Sequence, residues 1–205
     1  DSGTGKLNLT NTFTYDAVGN LTKVDGPRTD VTDTVTTAFN TERLATQVTD
    51  GLSKVTKNFY DADGRVVRTA AQLGTQWMVS CNTYSASGKL TRSWGPVLQA
   101  ADSTCPAAAS PNQVTDYAYD EVDRQSKVTE YPTATAAHNR VTQTIYNLDN
   151  TVQSIRKDVG GSLEQYYAQY VYTPNGKPQW SIDALLNGTR TNYDGFDRPA
   201  SITYA

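Results

Sequence analysis

Four groups of residues in this chain belong to types that do chemistry. Asp61-Ala62-Asp63-Gly64 begins like a calcium loop. His138 is the single histidine, and Cys81 and Cys105 are the two cysteines. Arg65, Lys89, Arg124, Lys177 and Arg198 recur behind Asp, Ser or Thr and could line up as a cationic stripe. Each group lacks the company its chemistry needs. The calcium loop requires further oxygen ligands and a Glu at its twelfth position, which is Gln72 here. A catalytic or metal-binding histidine needs Cys, Ser or carboxylates beside it, whereas His138 lies in the polar linker Ala134 to Asn139. The sequence has no Gly-x-Ser-x-Gly elbow, phosphate-cradling glycine loop or Cys-x-x-Cys pair. The chain is therefore expected not to be an enzyme and to carry no cofactor and no metal.

The elements around these residues repeat. An aromatic followed by a turn recurs at Tyr15-Asp16-Ala17-Val18-Gly19, Tyr60-Asp61-Ala62-Asp63-Gly64-Arg65, Tyr84-Ser85-Ala86-Ser87-Gly88, Tyr119-Asp120-Glu121-Val122-Asp123, Tyr146-Asn147-Leu148-Asp149-Asn150, Tyr172-Thr173-Pro174-Asn175-Gly176 and Tyr193-Asp194-Gly195-Phe196-Asp197. Most copies are roughly 21 to 27 residues apart, a spacing that marks a repeat architecture. Asp, Asn, Ser or Thr follows the aromatic, and these side chains start turns by bonding a backbone N–H further on. Gly19, Gly64, Gly88, Asp123, Asn150, Gly176 or Asp197 falls fourth after it, and these types tolerate a left-handed backbone. A type I turn closed by a left-handed residue is a three-residue hairpin loop with a bulge. A degenerate copy, Phe39 to Leu44, reads as one residue shorter and puts Arg43 where the rule wants glycine. The flanks alternate with period two and are rich in β-branched and aromatic residues, as in Tyr117-Ala118-Tyr119 and Val152 to Arg156. The fold class expected is all-β: about eight consecutive antiparallel hairpins, around sixteen strands, in one array over residues 1–205. The segment 95–113 is expected to be an inserted loop. The tyrosines are expected to pack ring on ring as a ladder between repeats.

Composition narrows the partners. Net charge is −3 with both signs interspersed and no basic stripe, so nucleic acid is disfavoured. No apolar run is long enough for a membrane-spanning helix. Cys81 and Cys105 bracket the inserted loop; a disulfide there would pin the loop and imply an oxidising compartment, and two unpaired thiols are the alternative. Trp77, Trp94 and Trp180 with the tyrosines could form a sugar platform, against packing between repeats. The chain reads as a piece of something longer.

Tyr60-Asp61-Ala62-Asp63-Gly64-Arg65-Val66 resembles the motif of the RHS/YD-repeat family, and Tyr15 to Leu21 and Tyr193 to Arg198 come close to it. The resemblance runs from about Phe13 to Tyr204. It implies a continuous sheet of hairpins spiralling into a shell, as in bacterial polymorphic toxins, the cocoon subunit of insecticidal toxin complexes and teneurins. Toxin members enclose a C-terminal segment, and many cleave themselves at Asp-Pro motifs; no Asp-Pro occurs here. The expected function is a non-catalytic structural segment of a secreted or cell-surface bacterial protein. Its partners would be neighbouring repeats of the same or identical chains, an encapsulated polypeptide or a cell-surface glycan. Adhesion through glycans and self-assembly into a filament stand as alternatives.

Overall fold

A computed structural model describes residues 9–109, 113–159 and 165–205. Strands fill it. In chain order they are β1 (Thr12–Tyr15), β2 (Leu21–Asp25), β3 (Val35–Phe39), β4 (Ala45–Thr49), β5 (Val55–Tyr60), β6 (Val66–Leu73), β7 (Gln76–Tyr84) and β8 (Leu90–Gln99). They continue with β9 (Val114–Tyr119), β10 (Gln125–Tyr131), β11 (Arg140–Tyr146), β12 (Val152–Val159), β13 (Gln165–Tyr172), β14 (Pro178–Asp183), β15 (Gly188–Tyr193) and β16 (Pro199–Tyr204). All sixteen join one open sheet in sequence order. A 3-10 turn at Ala136–His138 is the sole helical element among the described residues. Alternation of Thr, Tyr and Val suits a pleated, half-buried surface, which is why the chain forms strands with so little deep core.

Packing divides the chain into two compact units, Asp1–Thr83 with Ser93–Ala107, and Tyr84–Arg92 with Ala108–Ala205. In the first unit Ala70, Val79 and Cys81 are fully buried and Trp94 nearly so. In the second, Val114, Ser154 and Gly188 are buried. Strand β8 runs on to Gln99, so the long connection begins at residue 100 and the segment expected as loop from 95 is partly strand. Gly95 allows this: a side chain there would meet the Val79 carbonyl at 2.5 Å, and its φ is +92°. Composition alone marks Gly95-Pro96 as a breaker; the close passage against Val79 is tertiary and has no sequence signal.

Candidate functional site

The eight aromatic-led motifs, from Tyr15 to Tyr193 and including Phe39, all lie at hairpin reversals. Each closes by the same two backbone bonds. In the copy at Asp61, its N–H donates to the Arg65 carbonyl at 3.0 Å and the Gly64 N–H donates to the Asp61 carbonyl at 3.1 Å. The carboxylate Oδ1 of Asp61 then accepts from the N–H groups of Asp63 and Arg65, both at 3.0 Å. Asp120 and Asp194 do the same with the residues two and four ahead. Ser85 and Thr173 accept from the N–H four residues ahead through their hydroxyls. At Asn147 the cap passes to Asp149, whose carboxylate takes the Thr151 N–H. Polar donors that a tight loop would otherwise leave unpaired are thus satisfied within six residues.

The fourth position after the aromatic is left-handed throughout: Gly19, Gly64, Gly88, Asp123, Asn150, Gly176 and Asp197 all have positive φ. So does Arg43, at φ 63°. The Phe39 copy is therefore a full-length turn, not a shortened one. Its Asn40 side chain caps Glu42 and Leu44, and Arg43 donates from Nε to Asn20 Oδ1 of the preceding turn at 2.8 Å. Arginine tolerates the strained backbone because capping and this bond fix it. Sequence reading misses two further turns of the same build, at Asp50–Lys54 and Asp183–Asn187, with Ser53 and Leu186 left-handed. An Asp that caps residues two and four ahead is the signal they share; they lack the leading tyrosine.

The basic residue after the turn braces it. Arg65, Arg124 and Arg198 each donate from Nε to Oδ2 of their own Asp at 2.7 Å. Asp63 also pairs with Arg65, at 2.7 Å, so the calcium-like sequence Asp61-Ala62-Asp63 is spent on a guanidinium. No cluster of potential metal ligands occurs among the described residues. Backbone N–H donation from Arg65 holds the Asp61 carboxyl below its ordinary range, against opposing desolvation.

The tyrosines link one repeat to the one before. Tyr60 donates its hydroxyl to the Ala45 carbonyl at 2.8 Å, Tyr119 to Leu90 at 3.0 Å and Tyr146 to Gln125 at 3.0 Å. Tyr172 donates to Val152 at 2.9 Å and Tyr193 to Pro178 at 2.7 Å. In every case the acceptor is the sixth residue after the preceding aromatic. The guanidinium of Arg124 covers the Tyr146 ring at 4.5 Å, and the Lys89 ammonium lies 5.8 Å from the Tyr119 ring. This replaces the expected ring-on-ring ladder. Motif aromatics sit on alternate strands, roughly 9.5 Å apart, beyond the reach of a stacked pair. The hydroxyl spans what the ring cannot.

Six of these joins share one register. The residue eight after one aromatic stands opposite the residue three before the next: Lys23 and Thr36, Gln47 and Lys57, Arg68 and Cys81. The same holds for Lys127 and Gln143, Ser154 and Gln169, and Trp180 and Arg190. Within seven of the hairpins the aromatic faces its own sixth residue across a bulge, as Tyr15 faces Leu21 and Tyr172 faces Pro178.

The connection after β8 folds back on the first unit. Cys105 is disulfide-bonded to Cys81, Asp102 pairs with Lys57 at 2.6 Å, and the Trp94 indole donates to the Pro106 carbonyl at 2.8 Å. In the second unit an open groove of about 480 Å³ is lined by Arg92, Val114, Tyr131 and Asn139 among others. Its charges are spent: Arg92 pairs with Asp116 at 2.7 Å, and the Tyr131 hydroxyl donates to the same carboxylate at 3.2 Å. The Arg92 bond holds the Asp116 carboxyl below its ordinary range, although burial opposes it. His138 is exposed and bonds the Thr133 hydroxyl at 2.9 Å.

No family model matches the sequence, and no curated protein matches it. Solved structures match its shape. The crystal structure of TcdB2-TccC3-TEV superposes with a TM-score of 0.56 at 14% identity, covering 95% of this chain and 11% of that one. The Tc holotoxin pore of Photorhabdus luminescens gives 0.52 at 12% identity, covering 95% of this chain and 12% of that one. TcdB2-TccC3 itself gives 0.52 at 14%, covering 96% and 13%. The chain spans about an eighth or less of these much longer chains. At these identities the likeness is one of β-fold alone.

Proposed function

We propose that this chain is a non-catalytic structural segment of an extracellular bacterial RHS-like protein, a stretch of β wall whose partners are further repeats. One observation carries this reading: the shared register, with its tyrosine hydroxyl reaching the preceding repeat, commits the polar side chains at the turns to holding neighbours together. Acids and bases at the turns and in the open groove are taken up in caps and ion pairs, as at Asp61–Arg65 and Arg92–Asp116, which supports this reading. The shape shared with TcdB2-TccC3 supports a shell role and assembly with other repeat chains. The Cys81–Cys105 disulfide supports an oxidising compartment, hence secretion. An encapsulated polypeptide is the cargo such a wall would serve. A glycan platform has less support, because exposed Tyr166 and Tyr167 already carry Arg156 at 4.5 Å and Lys157 at 3.8 Å over their rings.

Hydrogen exchange combined with a substrate screen tests this. Repeats that contact only their neighbours open locally. Asp194→Ala is expected to raise exchange in β13–β16 while the first unit stays protected, and chromogenic esters, glycosides and phosphoesters are expected to show no turnover. Uniform exchange along the chain, or turnover lost on substituting Asp116, overturns the reading.

A further inference from the structure

The chain has two Asn-Gly pairs, Asn175-Gly176 and Asn187-Gly188, both in the second unit. Asparagine before glycine is prone to lose its side-chain amide. Glycine has no Cβ to shield the backbone nitrogen that attacks the side-chain carbonyl carbon. The two pairs stand in opposite surroundings. At Asn187 the N–H donates to Asp183 Oδ1 and the carboxamide to Oδ2, both at 2.9 Å. Gly188 is buried, its N–H donates to the Ala205 carbonyl at 2.9 Å, and a Cβ there would meet the Trp180 ring at 3.1 Å. Asn175 and Gly176 form the tip of the Tyr172 turn, and both are exposed. One turn bond, to the Thr173 carbonyl at 2.9 Å, holds the Gly176 N–H, and nothing lies within 4 Å of an added Cβ. The Asn175 carboxamide reaches the Asp197 carboxylate at 3.2 and 3.3 Å, the long end of hydrogen bonding.

That contact ties one turn to the next. In the second unit each left-handed residue that is not glycine takes a bond of this kind from the preceding aromatic-led turn. Asp123 receives Lys89 at its carbonyl at 3.4 Å, and Asn150 receives Arg124 at Oδ1 at 2.8 Å. Asp197 receives Asn175. The first two donors are cations, and the third is a neutral amide facing a carboxylate. Losing that amide nitrogen would turn the donor into a second acceptor and give it charge.

We propose that Asn175 is a site of spontaneous deamidation that releases the Tyr193 turn from the Tyr172 turn, and that Asn187 is shielded from the same reaction. The Gly176 nitrogen forms a bond to the Asn175 Cγ, the Cγ–Nδ2 bond breaks, and the proton of the Gly176 N–H leaves with the ammonia. Water then opens the resulting succinimide at either carbonyl, giving aspartate or isoaspartate. Both products set a carboxylate against that of Asp197, where like charges repel. The isoaspartate also adds a methylene to the backbone of a turn whose closure depends on its length.

Peptide mapping by mass spectrometry tests it on the whole chain, held in mildly alkaline buffer with and without denaturant. In the folded chain Asn175 is expected to convert about tenfold faster than Asn187, whose reaction requires β15 to open locally. In denaturant the two sites should convert at similar rates, since glycine follows both. Hydrogen exchange in the Tyr193 turn should rise several-fold in Asn175→Asp. It should return to that of the unmodified chain in Asn175→Asp with Asp197→Asn, a residue that the left-handed position accepts at Asn150. Equal rates at the two sites in the folded chain, or faster conversion at Asn187, overturn the assignment of the site. Unchanged exchange in Asn175→Asp overturns the release of the Tyr193 turn.

Discussion

Strands β5–β7 with the 93–107 segment, and strands β13–β16, use one motif and are held in different ways. In the first region Ala70, Val79 and Cys81 are fully buried beneath a connection fastened by a disulfide, an ion pair and an indole hydrogen bond. In the second, Val171, Leu185, Leu186, Ile202 and Tyr204 are exposed. There the order comes from capped turns at Thr173, Asp183 and Asp194 and from the hydroxyls of Tyr172 and Tyr193. The difference separates two sources of stability. The motif supplies polar, local, repeat-by-repeat bonding, and apolar core arises where an insertion doubles back. A wall of this kind needs little core because each hairpin leans on the next.

The largest expected effect falls on the covered region. Replacing both Cys81 and Cys105 by alanine should cost about 2–4 kcal/mol, since the bridge closes a loop of sequence separation 24. In a denaturant titration followed by Trp fluorescence, the loss should register in the first unit while exchange in β13–β16 stays unchanged. Val79→Ala should cost about 2 kcal/mol, two buried methyl groups plus a cavity. A negligible change would mean that this core is not packed as described.

In the exposed region backbone conformation dominates. Gly176 has φ +74° with nothing within 4 Å of an added Cβ, so Gly176→Ala should destabilise by roughly 1 kcal/mol through strain alone. Leu186 is left-handed at φ 67° and 77% exposed, so Leu186→Gly should stabilise by about 0.5–1 kcal/mol. Thermal melts of the pair should move in opposite directions; movement the same way would contradict the shared turn geometry.

Smallest is the pH response, which both regions share. The Asp61 carboxyl is held low chiefly by the Arg65 N–H, Asp183 by the Asn187 side chain and Asp194 by the Arg198 guanidinium. A folded value below the unfolded one gives stability that is present above the ordinary carboxylate range. It is lost as pH falls through the depressed folded values. The melting midpoint should therefore be flat near neutrality and fall below about pH 4.

The hairpin frame was legible because turn chemistry is local. Asp, Asn, Ser or Thr after the aromatic and Gly, Asn or Asp three places later specify the reversal within six residues. The Phe39 turn reads as shortened because the strain at Arg43 is relieved by Asn20, a residue of another repeat. The turns at Asp50 and Asp183 lack a leading tyrosine and so do not stand out in the sequence. The tyrosine's role was half visible: the period placed it, but the distance between alternate strands, which rules out stacking and makes the hydroxyl the link, is a property of the sheet. The passage of β8 through Gly95 brings its backbone close to Val79, a contact that no neighbouring residue in the sequence reports.

Phe39 offers the most direct test of the central claim, that the tyrosine hydroxyl joins each repeat to the sixth residue after the preceding aromatic. It is the one motif aromatic without a hydroxyl, and the β2–β3 join has the common register, which places the Leu21 carbonyl where Ala45, Leu90 and Val152 accept elsewhere. Equilibrium unfolding of Phe39→Tyr beside Tyr119→Phe measures it. The expected result is a gain of about 0.5–1.5 kcal/mol for the first and a loss of similar size for the second. No gain from Phe39→Tyr, with Tyr119→Phe as stable as the unmodified chain, would contradict it.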